Sequence, residues 1–181
     1  MIRINFDSTF EPIEITSELT DIKFYSELKN GGLILFKVEI RPLADPLLPN
    51  VFNLAFGPLN EEGKINDEIK INHSNTGKMF STVLLFALSF LQKNSSYTIG
   101  IDGSNDARAY LYHRMFLTNK IYLHDFFVTI GVDWYVRLLR DNTVEKDNMG
   151  FAFFKPKPES FDYKRTTNDL YRYYMFHLIT E

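Results

Sequence analysis

The stretch from Lys78 to Gln92 limits most strongly what this chain can fold into. Phe80, Val83, Leu84, Ala87, Leu88 and Leu91 recur at the i, i+3, i+4 spacing of one helix face, and Met79, Phe86 and Phe90 make other faces apolar as well. A helix that is apolar nearly all round must be covered on more than one side, so it belongs at the centre of the structure. Tyr97-Thr98-Ile99-Gly100-Ile101 follows, short and apolar enough for an interior strand. Next comes Asp102-Gly103-Ser104-Asn105-Asp106-Ala107-Arg108, where glycine permits a sharp turn and Ser104 or Asn105 can cap a second helix running to Asn119.

A chain of 181 residues can surround such a helix with a single core. Its content of 17 Phe and 10 Tyr makes that core rich in flat rings. The net charge of −3 gives no global basic field for nucleic acid. With no cysteine there are no disulfides, thiolate nucleophiles or Cys-ligated metals. The N-terminus shows no secretory signal pattern, and the longest apolar run, Val83 to Leu91, is about half the length of a membrane span. The expected location is the cytoplasm, with no membrane association.

Upstream of the helix the patterns are extended. Ile2 to Phe6 and Ile22 to Tyr25 read as short strands, and Asn30-Gly31-Gly32 turns into a half-buried strand over Leu33 to Ile40. Val51 to Phe56 resumes the pattern after three prolines, and Asn60 to Lys64 forms a hairpin tip before a strand at Glu68 to Asn72. Together these predict an antiparallel meander. Downstream, Phe126 to Ile130 and Gly150 to Phe154 read as strands flanking Trp134 to Arg140, whose state is ambiguous. Pro156 and Pro158 mark the edge of a single domain over residues 1–158. Thr167 to Ile179 reads as a C-terminal helical extension over 159–181, with Leu170, Tyr173, Tyr174, His177 and Leu178 near one side, to dock either on the domain or on a second copy as a homodimer. The predicted fold class is α+β, a mainly antiparallel sheet with a buried central helix and a second helix after a Gly-Ser turn. In that second helix Ala107, Leu111 and Met115 are expected to face the sheet, with Arg108 and Tyr112 at its edge.

The segment Asn105 to Leu117, with Asn105 six positions before Leu111-Tyr112, resembles the second signature helix of the GCN5-related acetyltransferase superfamily. The order of meander, helix, strand and helix fits as well. The resemblance implies an acetyltransferase-like core and acetyl-CoA as cofactor. It implies that Tyr112 is the general acid to the departing thiolate and that Asn105 lies near the pantetheine arm. The family's Gly-x-Gly/Ala pyrophosphate loop corresponds to Ser74-Asn75-Thr76-Gly77-Lys78-Met79, which has one glycine and a bulky methionine. Arg108 and Phe116 also depart from the family pattern. A second resemblance spans about residues 22–155. Asn53 to Gly57, Ser74 to Gly77, Thr82-Val83, Gly103-Ser104, Ala107-Arg108 and Leu111-Tyr112 resemble a family of small uncharacterised bacterial proteins without an established activity.

From the residues themselves, Gly103, Ser104, Asn105 and Arg108 make a candidate anion site. Amides at a helix N-terminus, a hydroxyl and a guanidinium one turn on favour a phosphate or carboxylate. The same residues serve equally as an ordinary cap, with Arg108 paired to Asp102 or Asp106. Glu68-Ile69-Lys70, with Asp45 upstream, has the form of a nuclease metal triplet but also that of a solvated strand. The histidines His73, His113, His124 and His177 lack ligand spacing, so no metal is expected. Tyr122, Tyr135 and Tyr171 to Tyr174, with Arg165 and Arg172, are suited to stacking on bases or to packing. The expectation is therefore a cytoplasmic binding or accessory protein with a small-ligand or partner site at Gly103-Ser104. The alternatives are a coenzyme A-dependent N-acyltransferase and, more weakly, a nucleic-acid binder.

Overall fold

The computed structural model describes residues 2–66, 72–103 and 105–179. Among them the chain runs β1 (Pro12–Ile15), β2 (Asp21–Glu27), β3 (Leu33–Pro42), β4 (Val51–Pro58), α1 (Thr76–Lys93), β5 (Thr98–Asp102), α2 (Asp106–Thr118), α3 (Lys120–Leu123), β6 (Phe127–Val136), β7 (Phe154–Ser160) and β8 (Tyr173–Leu178). The eight strands form one sheet in the order β1-β2-β3-β4-β5-β8-β6-β7. Every neighbouring pair is antiparallel except β4 and β5, which α1 joins as a parallel crossover. The α+β expectation therefore holds, as does the antiparallel meander at the expected strands that became β2, β3 and β4, while β1 lies where no strand was expected. The expected strand at Glu68 to Asn72 falls almost wholly outside the described residues.

α1 is the buried helix its sequence required. Asn75 caps it, accepting from the Lys78 amide at 2.8 Å. Phe80, Val83, Leu84, Ala87 and Leu91 join a core with Phe24, Val38, Ile40, Leu54, Ile99, Ile101, Tyr174 and Phe176 from the sheet. Much of the cover away from the sheet comes from the N-terminal arm, which is not the expected strand. Its amides donate instead to side chains: Ile4 to Asn119 Oδ1, Asn5 to Ser81 Oγ, Phe6 to Tyr122 Oη and Phe10 to Thr82 Oγ1, all between 2.8 and 2.9 Å. Side chains of α1, of α3 and of the residue between α2 and α3 thus supply the partners that a ladder would otherwise provide. The arm lies so close that a Cβ on Gly77 would sit 2.6 Å from the Arg3 carbonyl.

The C-terminal segment corrects the sequence reading. Residues 173–178 form a strand, not a helix, and it is inserted between β5 and β6. Both of its faces pack, so Tyr173 to Phe176 is a continuous apolar run, as a central strand requires. The helical spacing of Leu170, Tyr173, Tyr174 and Leu178 was coincidental, and no C-terminal helix is present to carry a dimer contact. Pro156 and Pro158 also lie inside the sheet, in β7, rather than beyond it. They oppose Trp134 and Val132 on an edge strand, where a missing N–H is tolerated. Among the described residues no helix is long and apolar enough to cross a membrane.

The sheet face away from α1 carries an ion network on β2 and β3. Arg41 grips Asp21 with both guanidinium nitrogens at 2.6 and 3.0 Å, and Lys37 Nζ lies 3.1 Å from the same carboxylate. Arg41 above all, with help from Lys37 and Thr20, holds the Asp21 carboxyl at about 2, against the opposing effect of burial. A depressed folded-state pKa gives stability that is complete above the unfolded value, near 4, and is lost as pH falls through about 2. Asp21→Asn should therefore flatten the acid limb of the stability curve below about pH 4. The loss is on the order of 1–2 kcal/mol after allowance for solvent around the half-exposed Arg41, and urea unfolding at stepped pH checks it.

Candidate functional site

β4 and β5 pair only at Val51 with Thr98, Phe52 with Ile99 and Asn53 with Gly100, and then part. Beyond this point β5 continues to Asp102 against β8, while β4 continues to Pro58 against β3. An open groove of about 510 Å³ lies where they separate, lined by Leu43, Asn53, Asp102, Trp134, Arg172 and Tyr173. Parallel strands with a crevice at their carboxyl ends are the usual place for a ligand in α/β sheets.

Tyr173 forms the floor of the groove. Its ring crosses above Gly100, and its hydroxyl donates to Asn53 Oδ1 at 3.3 Å. Burial first, then the charges of Asp102 and Asp45, push the phenol far above its usual range, so Tyr173 stays neutral and serves as a hydrogen-bonding wall. Arg172 donates to Asp106 Oδ1 at 2.6 Å, an exposed pair that a ligand can exchange at little cost. Asp102 and Arg172 thus share the groove lining, Asp106 pairs with Arg172, and the charge of Asp45 acts on the Tyr173 hydroxyl. Trp134 presents a partly exposed indole on the same side.

The sequence-predicted residues are placed differently. Gly103 donates its amide to the Arg172 carbonyl at 3.0 Å, and Asn105 caps α2 by accepting from the Arg108 amide at 2.9 Å. Two of the amides offered for an anion are therefore used within the fold, and Asp106 sets a carboxylate in the first turn of α2. Ser104, and the triplet Glu68-Ile69-Lys70, lie outside the described residues. Tyr112 is 6% exposed, and its ring packs edge-on against Phe56, Phe80 and Tyr174. The buried face of α2 is Ala109, Tyr112, His113, Met115 and Phe116; of the expected face Met115 is buried, Leu111 packs partly buried against the core and only Ala107 is exposed, while Tyr112, expected at the edge, lies inside. Tyr171, Tyr173 and Tyr174 are core residues, and Arg165 is held by Asp133 and Glu159.

The segment aligned with a pyrophosphate loop does not fit that group. Asn75 occupies the Lys78 amide, Gly77 is pressed against the Arg3 carbonyl, and Lys78 Nζ lies over the Phe10 ring at 4.6 Å. Sequence reasoning missed the groove because its parts come from β4, β5, β6, β8 and the loop after β3. Only the insertion of β8 brings them together. Asn53 and the aromatic-basic cluster at Arg172-Tyr173 were visible as separate signals.

No curated protein and no solved structure matches the chain. A family model matches residues 8–153, ending just before β7. That match spans most of the sequence, and the chain belongs to DUF6934, a family of unknown function.

Proposed function

We propose that this chain is a binding protein whose groove at the parting of β4 and β5 takes a small amine-bearing ligand with a flat or apolar body. The observation that carries this reading is the groove's lining: Asp102 faces it, Asp106 offsets Arg172 and the charge of Asp45 reaches Tyr173, while Trp134 and Tyr173 supply aromatic walls. An excess of carboxylates concentrates cations, and an indole face adds cation–π attraction. This moves the site one step from the Gly103 turn and reverses the charge expected of its ligand.

Trp134 is the chain's only tryptophan, so its emission reports on the groove directly. Titration with phenethylamine should give a saturating change in emission, and phenylacetate, with the same ring and the opposite charge, should give none. Asp102→Asn should weaken the amine by roughly tenfold, about 1.4 kcal/mol. Preference for phenylacetate would return the site to an anion, and silence with both would remove the groove as a binding site.

The acyltransferase reading has one support of its own. The order of elements, with a meander, a helix, a parallel strand that parts from β4 and a second helix bearing Tyr112, fits the acetyltransferase resemblance. A rise in apparent stability with acetyl-CoA decides for it, since a ligand that prefers the folded state must raise the melting temperature. Tyr112→Phe should then keep that rise and abolish acetyl transfer to phenethylamine. No rise leaves the resemblance without a coenzyme.

A further inference from the structure

His113 lies on the inner face of α2, 3% exposed, beneath the strap of residues 161–172 that joins β7 to β8. Its ring stacks on Phe161 at 5.2 Å and 26°. Neither Nδ1 nor Nε2 has a hydrogen-bond partner among the described residues. A neutral imidazole carries one donor and one acceptor, and a buried polar atom left in this way is costly. A phenyl ring would fill the place at less cost. What the imidazole adds is the capacity to take a proton.

The charged groups around it are Arg114 on its own helix and Arg165 and Asp162 on the strap. Asp133 of β6 and Glu159 of β7 face Arg165 and hold it, while β8 contributes Tyr174, and Tyr171 just before β8 lies under Arg165. Burial, then Arg114 and Arg165, disfavour the charged ring in the closed structure, and only Asp162 acts the other way. An imidazolium becomes stable when Phe161 lifts and water reaches both ring nitrogens.

We propose that His113 is the trigger of an acid-opened latch, in which protonation of its ring lifts Phe161 and the residues just after it, 161–164, from α2, while Arg165 and Tyr171 stay anchored. Protonation moves one proton from solvent to the ring and needs no other reactant. A folded-state pKa below the unfolded one makes the closed strap fully stable above about pH 6.5, with that stability lost as pH falls. His73 is bonded to Ser26 at the end of β2, away from the strap, and His124 contacts Tyr163 Oη on it at 3.0 Å, so the His113 variants assign the effect.

Hydrogen exchange followed by mass spectrometry on the full chain tests the latch without any ligand. Between about pH 7 and about pH 5, after correction for intrinsic rates, protection of peptides covering 161–164 should fall roughly tenfold or more, while β2 to β4 keep theirs. His113→Phe preserves the stack on Phe161 and cannot titrate, so its strap should stay protected at both pH values. His113→Met is the second variant should phenylalanine overfill the site. Unchanged protection in the wild type, or an equal loss in the variants, overturns the proposal. Phenethylamine binding is read separately by Trp134 emission at about pH 7, so failure of the groove and failure of the latch are distinguishable.

Discussion

A chain ended at Ser160 is expected not to fold. The deletion removes Tyr171, Tyr174 and Phe176, all fully buried, together with the nearly buried Tyr173 and Met175. Truncating one such aromatic to alanine costs about 3–5 kcal/mol, so losing the set exceeds the whole stability of an ordinary domain, about 5–15 kcal/mol. It also strips β5 of its partner from Ile99 to Asp102 and β6 of its partner from Phe127 to Val132. Circular dichroism and urea titration should show no cooperative transition. A cut at the end of the family match, residue 153, removes β7 as well and should behave no better. Cooperative unfolding of either fragment would mean that β8 is peripheral, contrary to its place in the sheet.

The second large effect is expected at Gly131. A Cβ there would lie 2.2 Å from Cζ of Tyr171, and the Tyr171 ring is fully buried. That ring cannot move cheaply. Its hydroxyl donates to Glu159 at 2.8 Å and accepts from the Asp162 amide at 3.1 Å, and Arg165 lies over its face at 3.7 Å. Gly131→Ala should therefore cost roughly 3 kcal/mol or more and lower Tm by roughly 6–12 °C. Most of that cost should vanish in a Tyr171→Leu background, where the obstructing ring is gone. A full penalty in both backgrounds would place the strain in β6 itself.

What could be read from the sequence divides along physical lines. α1, β3 and the Asn105 cap were legible because their signals are local: apolar periodicity, alternation after a Gly-Gly turn, and a capping side chain before a helix. α2 was found but its inner face only in part, because Tyr112, His113 and Phe116 share that face with Met115, while Leu111 lies at its margin and Ala107 outside it. β8 was misread because a strand packed on both faces has no alternation to reveal it. The groove depends on that strand, so its composition could not be assembled from the sequence. The unpartnered nitrogens of His113 leave no trace in one dimension.

The position of β8 also has a consequence for how the molecule is made. Synthesis runs from the N-terminus, so β5 and β6 emerge long before the strand that must lie between them. Until residues 173–178 leave the ribosome, both strands expose ladder edges and the apolar faces of Ile99, Ile101 and Phe127, a state open to wrong pairing. The meander can form early, but the sheet is completed only after translation has passed its last strand. Refolding must then close a contact across most of the second half of the chain, which is the kind of topology that folds slowly.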